Sequence, residues 1–183
     1  MWNLLHQEAC KAGSVPDPVR EQPGGPTAPA VNVTANHAAA VAAAMGGRLP
    51  TPDEWDHAAG FYERGGLAGP LRAGGSARVG LKEPAPATGP DADRSANALG
   101  LLDMGGNGRE WTAAILPGRR QPPQIIDGAA FAPQTWVVLR GRAYHLRTAL
   151  TFADLEFERG EPQTQFAEVA SPYTGYRVVL PVP

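Results

Sequence analysis

Asp103-Met104-Gly105-Gly106-Asn107-Gly108-Arg109-Glu110-Trp111-Thr112 is the stretch on which the reading of this chain turns. Its glycines let the backbone bend sharply. Asn107 and Glu110 then bring an amide oxygen and a carboxylate together beside the indole of Trp111. Oxygen donors on a flexible turn suit calcium, which accepts irregular geometry and carbonyl ligands. The expected ligands are Asn107, Glu110 and the backbone carbonyl of Gly108. The bland alternative is a Gly-rich surface turn with a solvated glutamate, and Arg109 is placed to compete with a cation for the Glu110 carboxylate.

Three further blocks accompany the turn. Gly47-Arg48-Leu49-Pro50-Thr51-Pro52-Asp53-Glu54-Trp55 lies upstream, and Asn97-Ala98-Leu99-Gly100-Leu101-Leu102 runs into the turn itself. Val138-Leu139-Arg140-Gly141-Arg142-Ala143-Tyr144 and Gly175-Tyr176-Arg177-Val178-Val179 follow. In this order and spacing the blocks resemble the sulfatase-modifying-factor domain of formylglycine-generating enzymes, over about residues 30 to 180. The resemblance implies an α+β, C-type-lectin-like fold, loop-rich, with short strands and two to three helices. It also implies calcium at the central turn, where Gly108 and Arg109 replace the family's usual Val and Trp. A second cation site would use an Asn early in the preceding loop; here Gly75-Ser76-Ala77-Arg78-Val79 offers none.

The length of 183 residues allows one domain with a proper core, and the 22 Gly and 19 Pro point to much irregular backbone. Residues 1–183 are therefore read as a single domain: 1–30 a helix with a Pro/Gly-rich connector, 31–183 the core of the match. The family's first strand is missing from it, because the gene start is misplaced or because the domain tolerates an open sheet edge. A net charge of −2 gives no basic field for nucleic acid. Cys10 is the single cysteine, read as a small buried hydrophobe, so there is no intrachain disulfide and no multi-thiolate metal site. His6, His37, His57 and His145 are scattered rather than set at metal-ligand spacing. With no signal peptide and no apolar run of ~18 residues, nothing exports or anchors the chain, and a cytoplasmic location follows by default.

Met1–Ala12 carries a weak helical period closed by Gly13, and Ser14–Ala30 follows with five prolines. Alanine-rich Thr34–Met45 is a helix by propensity. Thr51-Pro52-Asp53-Glu54 has capping-box spacing, which starts a second helix at Pro52 with Trp55 on its inner face. Gly65–Arg94 reads as a structured excursion. Trp136–Arg140 and Tyr176–Leu180 read as core strands that pair with each other. Between them, Ala143–Thr174 shows few helix or strand signals.

Enzymes of the resembled family oxidise a substrate cysteine to formylglycine with molecular oxygen, using two copper-holding cysteines shortly after the third block. Those positions fall on Thr151 and Glu156. A hydroxyl and a carboxylate are too hard for copper(I), so no copper is expected. The related sulfoxide synthases hold iron largely with histidines of a separate helical domain, and nothing like that domain is present. Asp154 with Glu156 or Glu158 could be a general acid–base pair, but a solvated face explains them as well. The reading that results is a catalytically inactive domain that binds a protein or peptide, with Tyr144, Arg147, Phe152, Glu156, Phe157 and Arg159 as candidate contacts. The alternative is a divergent oxidoreductase of the same superfamily.

Overall fold

Alanine's high helix propensity makes Ala35–Ala44 the first helix, α1, and Thr34 caps it by accepting from the His37 amide at 3.2 Å. Its inner face is Ala35, Ala38, Val41 and Ala42. Helix α2, Pro52–Ala58, begins where the sequence places it. Thr51 and Glu54 form a reciprocal capping box, Pro52 stands in the first turn, and Trp55 is buried at 1% exposure. Arg48 grips the Glu54 carboxylate at 2.5 and 2.7 Å, which with the box holds that carboxyl at about 2. The excursion after α2 contains one short helix, α3, Pro90–Arg94.

The structure, a computed structural model, describes residues 27–118, 121–126 and 130–181. The expected Met1–Ala12 helix, Cys10 and most of the proline connector lie outside the described residues.

The sheet is built around β1, Gly108–Ile115, which leaves the central turn directly. One flank of β1 pairs antiparallel with β3, Trp136–Arg142, and β3 pairs in turn with β4, Thr164–Phe166. The other flank is shared. β5, Thr174–Tyr176, runs parallel to Arg109–Trp111, and β2, Gln124–Ile125, pairs antiparallel with Ala114–Ile115. The two strand blocks expected to pair with each other therefore do not. β1 lies between them and pairs with both, antiparallel with β3 and parallel with β5. The last block also leaves the ladder sooner than expected: Val179 forms only an isolated bridge, to Arg48.

The segment 143–174 is more regular than its composition suggests. Phe152–Gly160 is a helix, α4, started by a second capping box in which Thr151 and Asp154 exchange hydrogen bonds. Asp rather than the usual Glu or Gln closes this box. Phe152, Leu155 and Glu158 form the inner stripe of α4.

Two apolar clusters result. Under α1 and the sheet lie Val33, Val41, Trp111, Val137, Leu139 and Tyr176, with Trp111 donating its indole N–H to the Val33 carbonyl at 3.0 Å. Trp55, Phe61, Met104, Leu150, Phe152 and Leu155 form the second, joining α2 to α4.

Gly175 marks the tightest approach between β5 and the chain entering α1. A Cβ there would stand 2.4 Å from the Ala30 carbonyl oxygen. Gly175→Ala is expected to cost at least ~2 kcal/mol in urea unfolding. Gly160→Ala, where a Cβ meets nothing within 4 Å, should be neutral or slightly stabilising.

Candidate functional site

The central turn owes its shape to two non-glycine residues at positive φ, Asp103 at 64° and Asn107 at 65°. The Asn107 side chain behaves like a strand partner to Ala85. Its Oδ1 accepts from the Ala85 amide at 2.7 Å, and its Nδ2 donates to the Ala85 carbonyl and to Asp103 Oδ2, each at 2.9 Å. Asp103 is buried against Arg78, whose Nε lies 3.1 Å from Asp103 Oδ1, close enough for ion pairing though not aligned as a hydrogen bond. Arg78 also donates to Ser95 Oγ at 3.2 Å and to the Pro86 carbonyl. Burial pushes the Asp103 carboxyl up, while Arg78 and Asn107 pull it back.

Glu110, one turn of strand further on, is fully engaged. Arg177 donates to both of its oxygens, Nε at 2.5 Å and Nη2 at 2.6 Å, and the Trp55 indole donates at 2.6 Å. The side chains expected to hold calcium are thus already bound to protein donors. The space beside them, lined by Asp103, Asn107, Gly108, Arg109, Glu110 and Gly175, amounts to about 20 Å³, room for about one water. This donor set does not fit a hard cation. Among the described residues no group of three or more His, Cys, Asp or Glu could hold a metal ion.

Helix α4, which shares an apolar cluster with Trp55 and Met104, places the remaining expected residues. Thr151 Oγ1 is spent on its helix cap, donating to Asp154 and accepting from the Asp154 amide. Glu156 reaches outward to Arg64 at 2.8 Å. Asp154 pairs with Arg142 at 2.6 Å. Glu158 turns inward and is buried rather than on a solvated face, within reach of the Asp154 charge and of Arg142, while Glu156 faces Arg64. Arg159 binds Asp53, Asp56 and the Tyr62 hydroxyl. The same Asp56 is the buried partner of Arg140 at 2.7 Å.

Of the expected contacts, Tyr144 and Phe152 are each only 4% exposed and belong to the interior. Phe152 packs edge-on against Phe61 at 6.2 Å. Arg147 and Glu156 are at the surface, and Phe157 is 62% exposed. Phe157 and Arg159 line an open groove of about 620 Å³ with Leu116, Pro122, Pro123 and Pro162. The alternation of buried and exposed positions follows from the helix, which sequence reading missed. Arg78, Asp56, Arg140 and Arg177 were missed as well. Nothing in a linear sequence pairs Arg177 with a carboxylate 67 positions earlier.

Comparison with known proteins places this geometry. The family model for the sulfatase-modifying factor enzyme 1-like domain matches residues 6–182. The "inactive C-alpha-formylglycine-generating enzyme 2" of Mus musculus is 32% identical over 141 residues, which is 64% of this chain and 44% of that protein. Its namesake in Bos taurus is 32% identical over 134 residues, 60% of this chain and 43% of that protein. The chain spans less than half the length of these curated relatives. The structure of PvdO from Pseudomonas aeruginosa shares the fold, with a TM-score of 0.57 at 21% identity, covering 97% of this chain and 76% of that one.

Glu158 generates a pH prediction. It is 5% exposed, its Oε2 has no hydrogen-bond partner, and burial raises its carboxyl to about 7 against the pull of Arg140, Arg142 and Arg109. Below the ordinary carboxylate pKa both folded and unfolded chains hold this proton. As pH rises from about 4.5 to about 7 the unfolded chain releases it first, so Glu158 costs stability progressively, up to ~3 kcal/mol at pH 8. Glu158→Gln should remove that slope and raise the urea midpoint at pH 8 while changing it little at pH 4.

Proposed function

The chain belongs to the sulfatase-modifying factor enzyme 1-like domain family, and we propose that it is a catalytically inactive member that binds a protein or peptide through the outer face of α4. The observation that carries the first half is at α4. Where the family's two copper-holding cysteines fall, Thr151 caps the helix and Glu156 makes an exposed ion pair. The chain has a single cysteine, Cys10. Thiolate chemistry on two sulfurs therefore has no carrier at this helix, and neither replacement is soft enough to hold copper(I). The name "inactive" given to both mammalian relatives supports the same reading.

Phe157 supports the second half. A large aromatic that stands in water on a well-packed helix, beside Arg159 and a groove edged with prolines, has the composition of an interface hot spot. With Tyr144 and Phe152 in the interior, the candidate face reduces to Glu156, Phe157 and Arg159, with Arg147 at the surface nearby in sequence. No helix of the described residues is long and apolar enough to cross a membrane.

Two experiments test the halves separately. Purified protein given copper, oxygen and a cysteine-containing sulfatase peptide should leave the peptide unchanged by mass spectrometry. Formylglycine formed in repeated turnovers would instead favour the oxidoreductase reading. Phe152→Ala should cost about 3–5 kcal/mol, whereas Phe157→Ala should stay within about 0.5 kcal/mol of the parent. A photo-crosslinking aromatic at position 157 should capture one defined polypeptide in cells, and the same group at exposed Ala40 should not. Equal, diffuse labelling from both sites would remove the α4 face as the binding surface.

A further inference from the structure

Two carboxylates stand within the turn region, Asp103 and Glu110, and each meets a guanidinium rather than an open coordination site. Arg78 comes from the stretch Gly75–Val79, which offers no Asn for the family's second cation site, and its side chain is 7% exposed beside Asp103. Arg177 arrives from the far end of the chain, one residue beyond β5, and chelates Glu110 with two parallel N–H donors. Arg109 lines the small space between them. Two negative charges thus face two fixed positive ones, Arg78 and Arg177, which leaves none of the surplus of negative oxygen ligands on which calcium affinity depends.

We infer that Arg78 and Arg177 supply from within the chain the positive charge that the family resemblance would assign to calcium, so that the turn keeps its shape without a divalent ion. Hydrogen bonding agrees with the charge count. An ion placed at Asn107 would have to displace the Ala85 amide from Oδ1, and an ion placed at Glu110 would have to break one or both Arg177 bonds and the Trp55 bond. Each displaced donor is held by other elements and cannot follow its acceptor. Arg177 is committed by β5, Trp55 by α2, and Ala85 by the excursion.

Thermal unfolding of the full chain in excess calcium chloride and in excess EGTA should give the same midpoint. Terbium should give no saturable indole-sensitised emission, although Trp55 touches Glu110 and would report an ion there. A calcium-dependent midpoint, or terbium emission displaced by calcium and lost in Glu110→Gln, overturns the inference. A double-mutant cycle of Glu110→Gln and Arg177→Met, read by urea unfolding without added metal, should show a coupling of at least tenfold in the unfolding constant. A coupling near onefold would mean that Arg177 does not neutralise Glu110 and would equally overturn it. Should Arg177→Met fail to fold, Arg177→Lys keeps the charge but loses the bidentate geometry and completes the cycle.

Discussion

The bond between Arg177 and Glu110 is the constraint from which most of this architecture follows. A carboxylate drawn out of water costs several kcal/mol unless it is paired and hydrogen-bonded. Glu110 sits in the middle of β1's parallel ladder with β5, opposite Gly175. Satisfying it therefore fixes where β5 ends and which residue comes next. The Trp55 indole supplies a further donor, which ties α2 to the same point. One carboxylate thus orients a helix and two strands that are remote from each other in sequence.

Asp56 plays the corresponding part on the other side of α2. It is fully buried, and it accepts from Arg140 on β3 and Arg159 on α4. Adjacent residues of one short helix, Trp55 and Asp56, therefore reach opposite networks, a donor toward the turn and an acceptor toward α4. That placement explains why α2 needs so firm a start. Its capping box, reinforced by Arg48, sets the rotation that sends the two side chains their separate ways.

Legibility in the sequence followed the range of the interaction. Local signals read correctly: the alanine helix, the Thr51 box with Pro52, the burial of Trp55, and the sharp turn before β1. The family resemblance, carried by blocks in order, supplied the fold class that periodicity could not. What failed was pairing over long distances. Both late strands were recognisable as apolar and β-branched, yet the strand that separates them lies in the Gly-rich block and advertises a turn more loudly than a ladder. Glu110 was visible as a ligand, but the arginine partners of Asp103 and Glu110 come from the irregular excursion and from just past the last strand, where no spacing rule applies. Helix α4 shows a different limit. Its inner stripe includes an acid, Glu158, so hydrophobic periodicity alone underestimates it.

The order in which the ribosome delivers these residues gives the Arg177–Glu110 bond a further meaning. Glu110 is made 67 residues ahead of the arginine, and the whole of β1 is complete well before it. A nascent chain can form α1, α2 and the β1–β3 pair early, but it must keep the mouth of the turn wet until the last strand arrives. Sealing of the core and neutralisation of the turn then become a single late event, governed by a long loop closure. A chain cut anywhere between 161 and 173 would retain nearly all of its apolar core and still hold an uncompensated carboxylate at its centre. Completion, rather than burial, is what this fold registers.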